Sequence, residues 1–487
     1  MSTDYRRVSE FLRQIVGNRD QADAVHLRPH FEQAPPTIPG GSGVDLDVID
    51  ERWSLLPNPP ESRARVADQA SLDDREAYCR NVENFVGTVK VPVGVIGPIR
   101  INGLFARGDY YVPLATTEAA LVASHSRGAR LITEAGGCTV ALLNEGVTRA
   151  PGFAFATLTE AGQFVIWAAA SLAKFREVAE ATTNHGKLTD MRVTVEGNHV
   201  YLGFEYTTGD ASGQNMVTIA TDAICQYIRA ESPVKPRAAF VEANLSGDKK
   251  ATTQSFLLVR GKKVSAEVML PAALVEKRLH TTPSTLTDYW RMSALGGVMS
   301  GSIGVHGHYA NGLAALYIAC GQDPACVAES AVGVTRFEVM EDGGLYAAVT
   351  LPNLMIGTVG GGTSLPSQSA CLDILGLRGP GKARALAEVC AALALAGELS
   401  ITGALAAGHF TRAHQRLARG IKSREHAAAP HDSNAASATE AGSASSNAAN
   451  HAATATTDDR DAASAVPAAP ATPAESPAST DQPKTHS

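Results

Sequence analysis

The sequence is short of several features that mark whole classes of protein. Its 487 residues include seven cysteines, at 79, 138, 225, 320, 326, 371 and 390, with no CxxC pair and none beside histidine at metal-ligand spacing. That excludes a disulfide framework and a zinc ribbon, and predicts reduced thiols in a cytoplasmic protein with no bound metal. Positive charge is not in excess. The net charge of −7 predicts no nucleic-acid partner and no acidic membrane partner. Residues 1–14 are charged and lack an apolar core, so no signal peptide is expected. Long hydrophobic runs are scarce. The most apolar one, 389–408, is rich in Ala and Gly and carries Glu398, which reads as a buried core helix and not a membrane span. What is present is 44% hydrophobic content, ordinary for a globular protein, in a chain long enough for two or three domains.

Residues 1–70 mix polar residues with prolines and read as a short helix followed by a wrapping arm. Residues 81–99 alternate Val with Gly and Pro, the pattern of short strands and tight turns. Thr116 or Thr117 is placed to cap a helix running to Gly136-Gly137, with Glu118 in its first turn. Residues 152–243 follow the order β-α-β-β-α-β: a strand near 153–158, a helix over 168–181, strands 191–195 and 200–206 joined through Gly197-Asn198, a helix over 215–229, and a strand at 238–241. That is the order of a ferredoxin-like split unit. A hairpin is expected from 255–259 to 264–270 through Arg260-Gly261-Lys262-Lys263. A second is expected from 337–340 to 345–351. Asp323-Pro324 is a helix-start signal. Gly360-Gly361-Gly362 follows an apolar strand and exposes backbone N–H groups able to receive phosphate, although it is neither a Walker loop nor GxGxxG. Residues 421–487 hold one Ile, one Val, no Leu and no aromatic residue, too little apolar surface to offset ordering entropy, so a disordered tail is expected. The fold class is α+β.

Between apolar, strand-like runs at 238–241 and 256–259 lies Asp248-Lys249-Lys250. Alone it reads as a solvated turn. Its setting points to a cation held at the mouth of a core and aimed at an oxyanion. Seven segments in one order say more: Glu83-Asn84-Phe85-Val86-Gly87 with Pro92-Val93-Gly94; Thr116-Thr117-Glu118 through Ser124 and Arg127-Gly128; Gly209-Asp210-Ala211 with Asn215-Met216; Asp248-Lys249-Lys250; Gly321-Gln322-Asp323; the glycine loop around 360–362; and Ala407-Gly408-His409 with His414. Together, over about residues 70–420, they resemble the catalytic domain of 3-hydroxy-3-methylglutaryl-CoA reductases of the first class. The resemblance implies a helix-centred large domain (71–150 and 241–420) with an inserted ferredoxin-like small domain (151–240) that binds the dinucleotide. It also implies homodimers or homotetramers with active sites shared between subunits. No counterpart of the family's membrane anchor is expected, and Gly420 stands where animal enzymes carry a regulatory serine.

The implied reaction takes the hydroxymethylglutaryl-CoA thioester to mevalonate and free coenzyme A with two NADPH, or NADH. By resemblance, Lys249 stabilises the thioester oxygen, Glu118 donates a proton, Asp323 bonds both of them, and His414 protonates the leaving thiolate. Arg149, Lys250 and Asn311 match residues that hold the acyl part, and Ser124 and Arg127 match contacts to coenzyme A. Asp210, Asn215, Met216, Gly360, Gly361 and Gly362 match the dinucleotide segments. Three positions depart from the pattern. Glu242 stands for a serine. Met292 stands for a lysine, with Arg291 beside it. Thr183-Asn184-His185-Gly186-Lys187 replaces a Ser-Arg that grips the adenosine phosphate. These departures leave two rival expectations: a reductase of another acyl-CoA, or a non-catalytic acyl-CoA-binding homologue.

Overall fold

The computed structural model describes residues 36–57 and 60–409, with a few isolated positions before residue 14. Most of the arm expected before residue 36, the tail expected over 421–487, and His414 lie outside the described residues.

Three short helices come first: α1 (Leu46–Ser54), α2 (Pro60–Val66) and α3 (Gln69–Asp73). They accompany a small apolar cluster of Val44, Ile49, Trp53 and Phe85. The buried Arg52 ties this cluster by donating to the carbonyls of Pro39, Gly43 and Phe85. An antiparallel pair, β1 (Val93–Gly103) and β2 (Arg107–Ala115), leads to α4 (Leu121–Glu134) and β3 (Cys138–Arg149). Neither Thr116 nor Thr117 caps α4. The chain first makes a turn in which Thr116 Oγ1 accepts the Glu118 amide at 3.0 Å. Ala120 then takes a φ of +75° at the N-cap. Glu118 therefore stands ahead of the helix and not in its first turn.

The next region runs β4 (Gly152–Ala154), α5 (Leu158–Ala170), α6 (Leu172–Glu180), β5 (Lys187–Glu196), β6 (His199–Thr207), α7 (Gln214–Glu231) and β7 (Ala238–Phe240). Its strands pair antiparallel in the order β7-β4-β6-β5, the fourth-first-third-second order of a ferredoxin-like unit. The helix expected over 168–181 begins ten residues earlier and breaks at Ser171. The reason is a side-chain cap: Thr157 Oγ1 accepts the Glu160 amide at 3.1 Å, and Glu160 Oε2 accepts the amide of Ala156, just before the cap, at 2.8 Å.

The remaining elements are β8 (Gly261–Leu270), α8 (Ala272–Leu279), α9 (Pro283–Ser300), α10 (Tyr309–Ala319), α11 (Val327–Ser330), β9 (Val334–Val339), β10 (Leu345–Leu354), α12 (Pro366–Leu375) and α13 (Ala383–Ala406). The β9–β10 hairpin forms as expected. The hairpin expected over 255–270 does not. Thr253–Phe256 coil into a 3₁₀ turn, and β8 runs between β3 and β10. Arg260, read as a turn residue, is a buried anchor only 2% exposed. Strand β3 joins the two sheets: Thr139–Gly146 pair with β8, and Val147–Arg149 pair with β6.

Helix α13 is the central core element, as the apolar run 389–408 predicts. It is long and apolar enough to cross a membrane, yet 83% of its most apolar window is buried within the protein. Gly128 lets α4 touch it, since a Cβ there would lie 1.9 Å from the Ala396 carbonyl oxygen. Its two buried acids each hold neighbouring backbone amides. Glu388 accepts the amides of Leu104, Phe105 and Ala106 at 3.1, 2.8 and 2.7 Å. Glu398 accepts those of Gly307 and His308 at 2.7 and 2.9 Å and the Thr335 hydroxyl at 2.8 Å.

Candidate active site

The chain between β7 and β8 carries Asp248-Lys249-Lys250, and two buried arginines shape it. Arg260 donates to Glu329 Oε2 at 2.6 Å, to the Thr148 carbonyl at 2.5 Å and to Asp248. Arg149 donates to Asp248 Oδ2 at 3.0 Å and to Glu242 Oε2 at 3.3 Å. Burial pushes the Asp248 carboxyl up. The charges of Arg260 and Arg149 outweigh that and hold it below its ordinary value. Asp248 is therefore a fixed anion that positions the loop. Lys249 follows with a φ of +56°, a conformation costing on the order of 1–3 kcal/mol for a side-chain-bearing residue. Its amide is held by Glu329 Oε1 at 3.3 Å. The strain turns the Lys249 side chain toward Asp323, where Nζ meets Oδ2 at 2.9 Å. Lys250 folds back onto the Asp248 carbonyl at 2.8 Å.

Asp323 is set by the turn after α10. Gly321 has a φ of +66°, and a Cβ on it would lie 2.2 Å from the Gly362 carbonyl oxygen. This turn therefore packs directly on the glycine loop. Asp323 Oδ1 accepts the Ala325 amide at 3.0 Å, the cap that Asp323-Pro324 predicts. Burial raises the Asp323 carboxyl. The bonds from Lys249 and Ala325 more than offset it, so the group lies below the usual carboxylate range. The bond to Asp323 in turn raises the Lys249 ammonium. The pair is an ammonium and a carboxylate at neutral pH. It borders a cleft of about 490 Å³ lined by Asp323, Ser212, Asn81 and Gly360-Gly361-Gly362. Gly360 and Gly361 have φ of +74° and +55°, with no heavy atom within 4 Å of where a Cβ would stand. This open glycine turn leaves successive backbone amides uncovered by side chains, which suits a pyrophosphate.

The other expected residues meet elsewhere. Asn311 Nδ2 donates to Glu118 Oε1 at 3.2 Å. Both line a second cleft of about 490 Å³ with Ser124, Arg127, His125 and His308. Ser400, which the sequence did not single out, holds the first two. Its hydroxyl lies 2.8 Å from Ser124 Oγ and 3.0 Å from Arg127 Nε, and its carbonyl 2.6 Å from Arg127 Nη2. Below the cleft His125 and His308 stack at 5.3 Å, and His308 Nδ1 lies 3.3 Å from Glu398. Within one chain Glu118 bonds neither Asp323 nor Lys249 among the described residues.

Of the dinucleotide candidates, Asp210 gives its carboxylate to the start of α13, accepting the amides of Gly381 at 2.7 Å and Ala383 at 3.1 Å. Met216 Sδ accepts the Thr183 hydroxyl at 3.0 Å, which brings the 183–187 loop against the start of α7, where Asn215 also lies. Glu242, the departure beside Arg149, also accepts Ser246 Oγ at 2.9 Å. Its Oε1 and Arg149 Nε are buried without a partner. Met292 is 75% exposed on α9, and Arg291 next to it pairs with Asp288 at 3.1 Å. No group of three or more His, Cys, Asp or Glu among the described residues is placed to hold a metal. All seven cysteines are free. Arg260, Glu329 and Ser400 were hidden from sequence reasoning. The one local signal was an arginine directly before the glycine that opens a Val-rich strand.

This fold is shared with a class of coenzyme A-dependent reductases. The structure of the class II 3-hydroxy-3-methylglutaryl-CoA reductase from Streptococcus pneumoniae bound to NADPH superposes with a TM-score of 0.56 at 20% identity, covering 74% of this chain and 96% of that one. The sequence goes further. The family profile described as hydroxymethylglutaryl-coenzyme A reductase matches residues 48–419. Curated 3-hydroxy-3-methylglutaryl-coenzyme A reductases are similar over most of their length. The protein of Pyrococcus horikoshii is 44% identical over 357 residues, 72% of this chain and 86% of that protein. The protein of Haloferax volcanii is 46% identical over 350 residues, 71% and 86%. The chain belongs to the hydroxymethylglutaryl-coenzyme A reductase family.

Proposed function

We propose that the protein reduces the hydroxymethylglutaryl-CoA thioester to mevalonate and coenzyme A, an isoprenoid-precursor step, with two nicotinamide dinucleotides, NADPH in preference to NADH. The observation that carries this reading is the Lys249–Asp323 ion pair, 2.9 Å long, at the edge of the glycine-loop cleft. A fixed ammonium placed there stabilises the oxyanion that forms on the thioester carbonyl. The dinucleotide supplies the hydride. Gly360, Gly361 and Gly362 fit its pyrophosphate, and Asn215, Met216 and the 183–187 loop fit its adenosine end, with Asp210 holding the start of α13. Lys187, 71% exposed and 3.7 Å from Glu180, and His185 are the side chains offered to a 2′-phosphate.

Glu118 serves as proton donor, kept in place by Asn311. Ser124 and Arg127 receive the coenzyme A phosphates, Arg149 and Lys250 the acyl carboxylate. His414 protonates the departing thiolate. Two clefts in one chain, one lined by Asp323 and the glycine loop and the other by Glu118, Ser124, Arg127 and Asn311, support a homo-oligomer in which Glu118 of one copy faces Lys249 and Asp323 of another. Helix α9 supports this too. It borders the Glu118 cleft through Tyr289 and Ser293 and leaves Met292, Leu295, Val298 and Met299 exposed. Unpaired thiols suit a cytoplasmic enzyme. Glu242 neutralises part of Arg149, an arrangement that also suits a reductase of another acyl-CoA. Hydride oxidation measured with hydroxymethylglutaryl-CoA and other acyl-CoAs, each with NADPH and NADH, tests the proposal. Turnover fastest with the first thioester and NADPH is expected, and no turnover of that thioester with either dinucleotide would refute it.

A further inference from the structure

The cysteines are scattered along the sequence, and the proposed chemistry uses none of them. One of them, Cys326, nevertheless lies within the Lys249–Asp323 centre. It closes the 3₁₀ turn Pro324–Cys326 that Asp323 caps, and its amide donates to the Asp323 carbonyl at 3.0 Å. The thiol and the carboxylate therefore share one short rigid turn. Cys326 is fully buried. Its sulfur receives Gln214 Nε2 at 2.7 Å, and the thiol is one of the groups that hold the Asp323 carboxyl below its ordinary value. Gln214 is the first residue of α7, one position before Asn215, and its carbonyl accepts Arg149 Nη2 at 3.4 Å. Burial pushes the Cys326 thiol well up, so it stays protonated and acts as a hydrogen-bond donor and not as a nucleophile.

We propose that Gln214 and Cys326 are positioning residues, a short relay that ties the start of α7 to the Asp323 carboxylate and so couples dinucleotide binding to the Lys249–Asp323 pair. The inference rests on the reading that this pair is the reaction centre. An amide that donates to sulfur leaves the S–H to point at Asp323. That bond fixes the carboxylate's rotamer and favours its ionised form. A residue present only to fill space would need the volume of the thiol and not its proton. A relay needs the donor.

The experiment uses the full-length protein and steady-state hydride oxidation with hydroxymethylglutaryl-CoA. Cys326→Ala, Cys326→Ser and Gln214→Leu are compared with wild type and with Lys249→Met. Cys326→Ala is expected to lower kcat about 10-fold, the scale of one charge-assisted bond, and to leave KM for the thioester within about twofold. Asp323 loses a donor that favours its ionised form, so the acid limb of the kcat/KM profile is expected to move to higher pH. Cys326→Ser keeps the donor and is expected to restore kcat to within about threefold of wild type. Gln214→Leu is expected to lower kcat and to raise KM for the dinucleotide. Wild-type kcat and pH profile in Cys326→Ala would overturn the relay while leaving the proposed function standing if Lys249→Met is dead. Serine and alanine variants equally slow, with equal losses in melting temperature, would reduce Cys326 to packing and overturn the relay. An active Lys249→Met would remove the reaction centre itself, and the relay with it.

Discussion

The two clefts hold the proposed chemistry in opposite ways. Around Lys249 nearly every polar atom is committed. Arg260 is 3% exposed and Glu329 wholly buried where they pair. Asp248 is gripped by two guanidinium groups, and Lys249 itself is held in a left-handed conformation. Around Glu118 the chain is loosely tied. The carboxylate has one 3.2 Å bond to Asn311, its turn precedes the helix, and the rigid groups, His125, His308 and Glu398, lie beneath it. In the proposed function the first region supplies a half-site, and folding alone fixes its geometry. The second is a cleft whose acid is held by a single side-chain bond. A charge meant for an oxyanion gains from preorganisation. A proton donor needs its final neighbours only when the site closes.

The largest expected effect separates activity from stability in the tight region. Lys249→Met is expected to lower turnover about 1,000-fold, the upper range for loss of one oxyanion-stabilising group. Its ion pair is 44% and 43% exposed, so the change in unfolding free energy by urea titration is expected to stay below about 1 kcal/mol. Comparable losses in both would place Lys249 among the structural residues. Arg260→Met reverses the pattern. It strands Glu329 and Asp248 without their partner and is expected to cost about 3–5 kcal/mol of stability. A loss under about 1 kcal/mol in the same titration would mean the buried network does not hold the loop.

The smallest effect lies under the loose region. Burial holds the His125 imidazole down at about 4, against an ordinary 6.5. The unfolded chain therefore takes up a proton across that window that the folded chain refuses. Stability is expected to fall as pH drops from about 6.5 toward 4, by up to about 3 kcal/mol. His125→Gln is expected to flatten that fall. Urea midpoints at pH 7 and pH 4.5 measure it, and an equal fall in the variant would place the acid sensitivity elsewhere.

Where one face or one local signal decides, the sequence was readable. The apolar run 389–408 is the core helix, the β9–β10 strands pair across their glycine turn, and the β-α-β-β-α-β order gives the expected strand pairing. The apolar residues at 256–259 looked like a strand. They instead lead into Arg260, whose partners Thr148, Asp248 and Glu329 come from three distant segments. A buried arginine looks like any other until the fold brings its acceptors together. Ser400 and Cys326 were unread for the same reason. The opposite error came from Thr116 and Thr117, good capping residues that tertiary packing did not use. The site residues legible in the sequence were legible as a family pattern, and the distances that join Lys249 to Asp323 and part both from Glu118 were not.

The most direct measurement is complementation between inactive subunits. Lys249→Met chains and Glu118→Gln chains, carrying different affinity tags, are co-expressed, and mixed oligomers are isolated by both tags. If the two clefts meet across a subunit boundary, each mixed pair regains one intact site. Unsorted material is then expected to recover about a quarter of wild-type turnover, the statistical share for random pairing of two copies. Mixed oligomers that form yet remain as inactive as either parent would contradict the account, because Glu118 and Lys249 would then have to serve one site from the same chain.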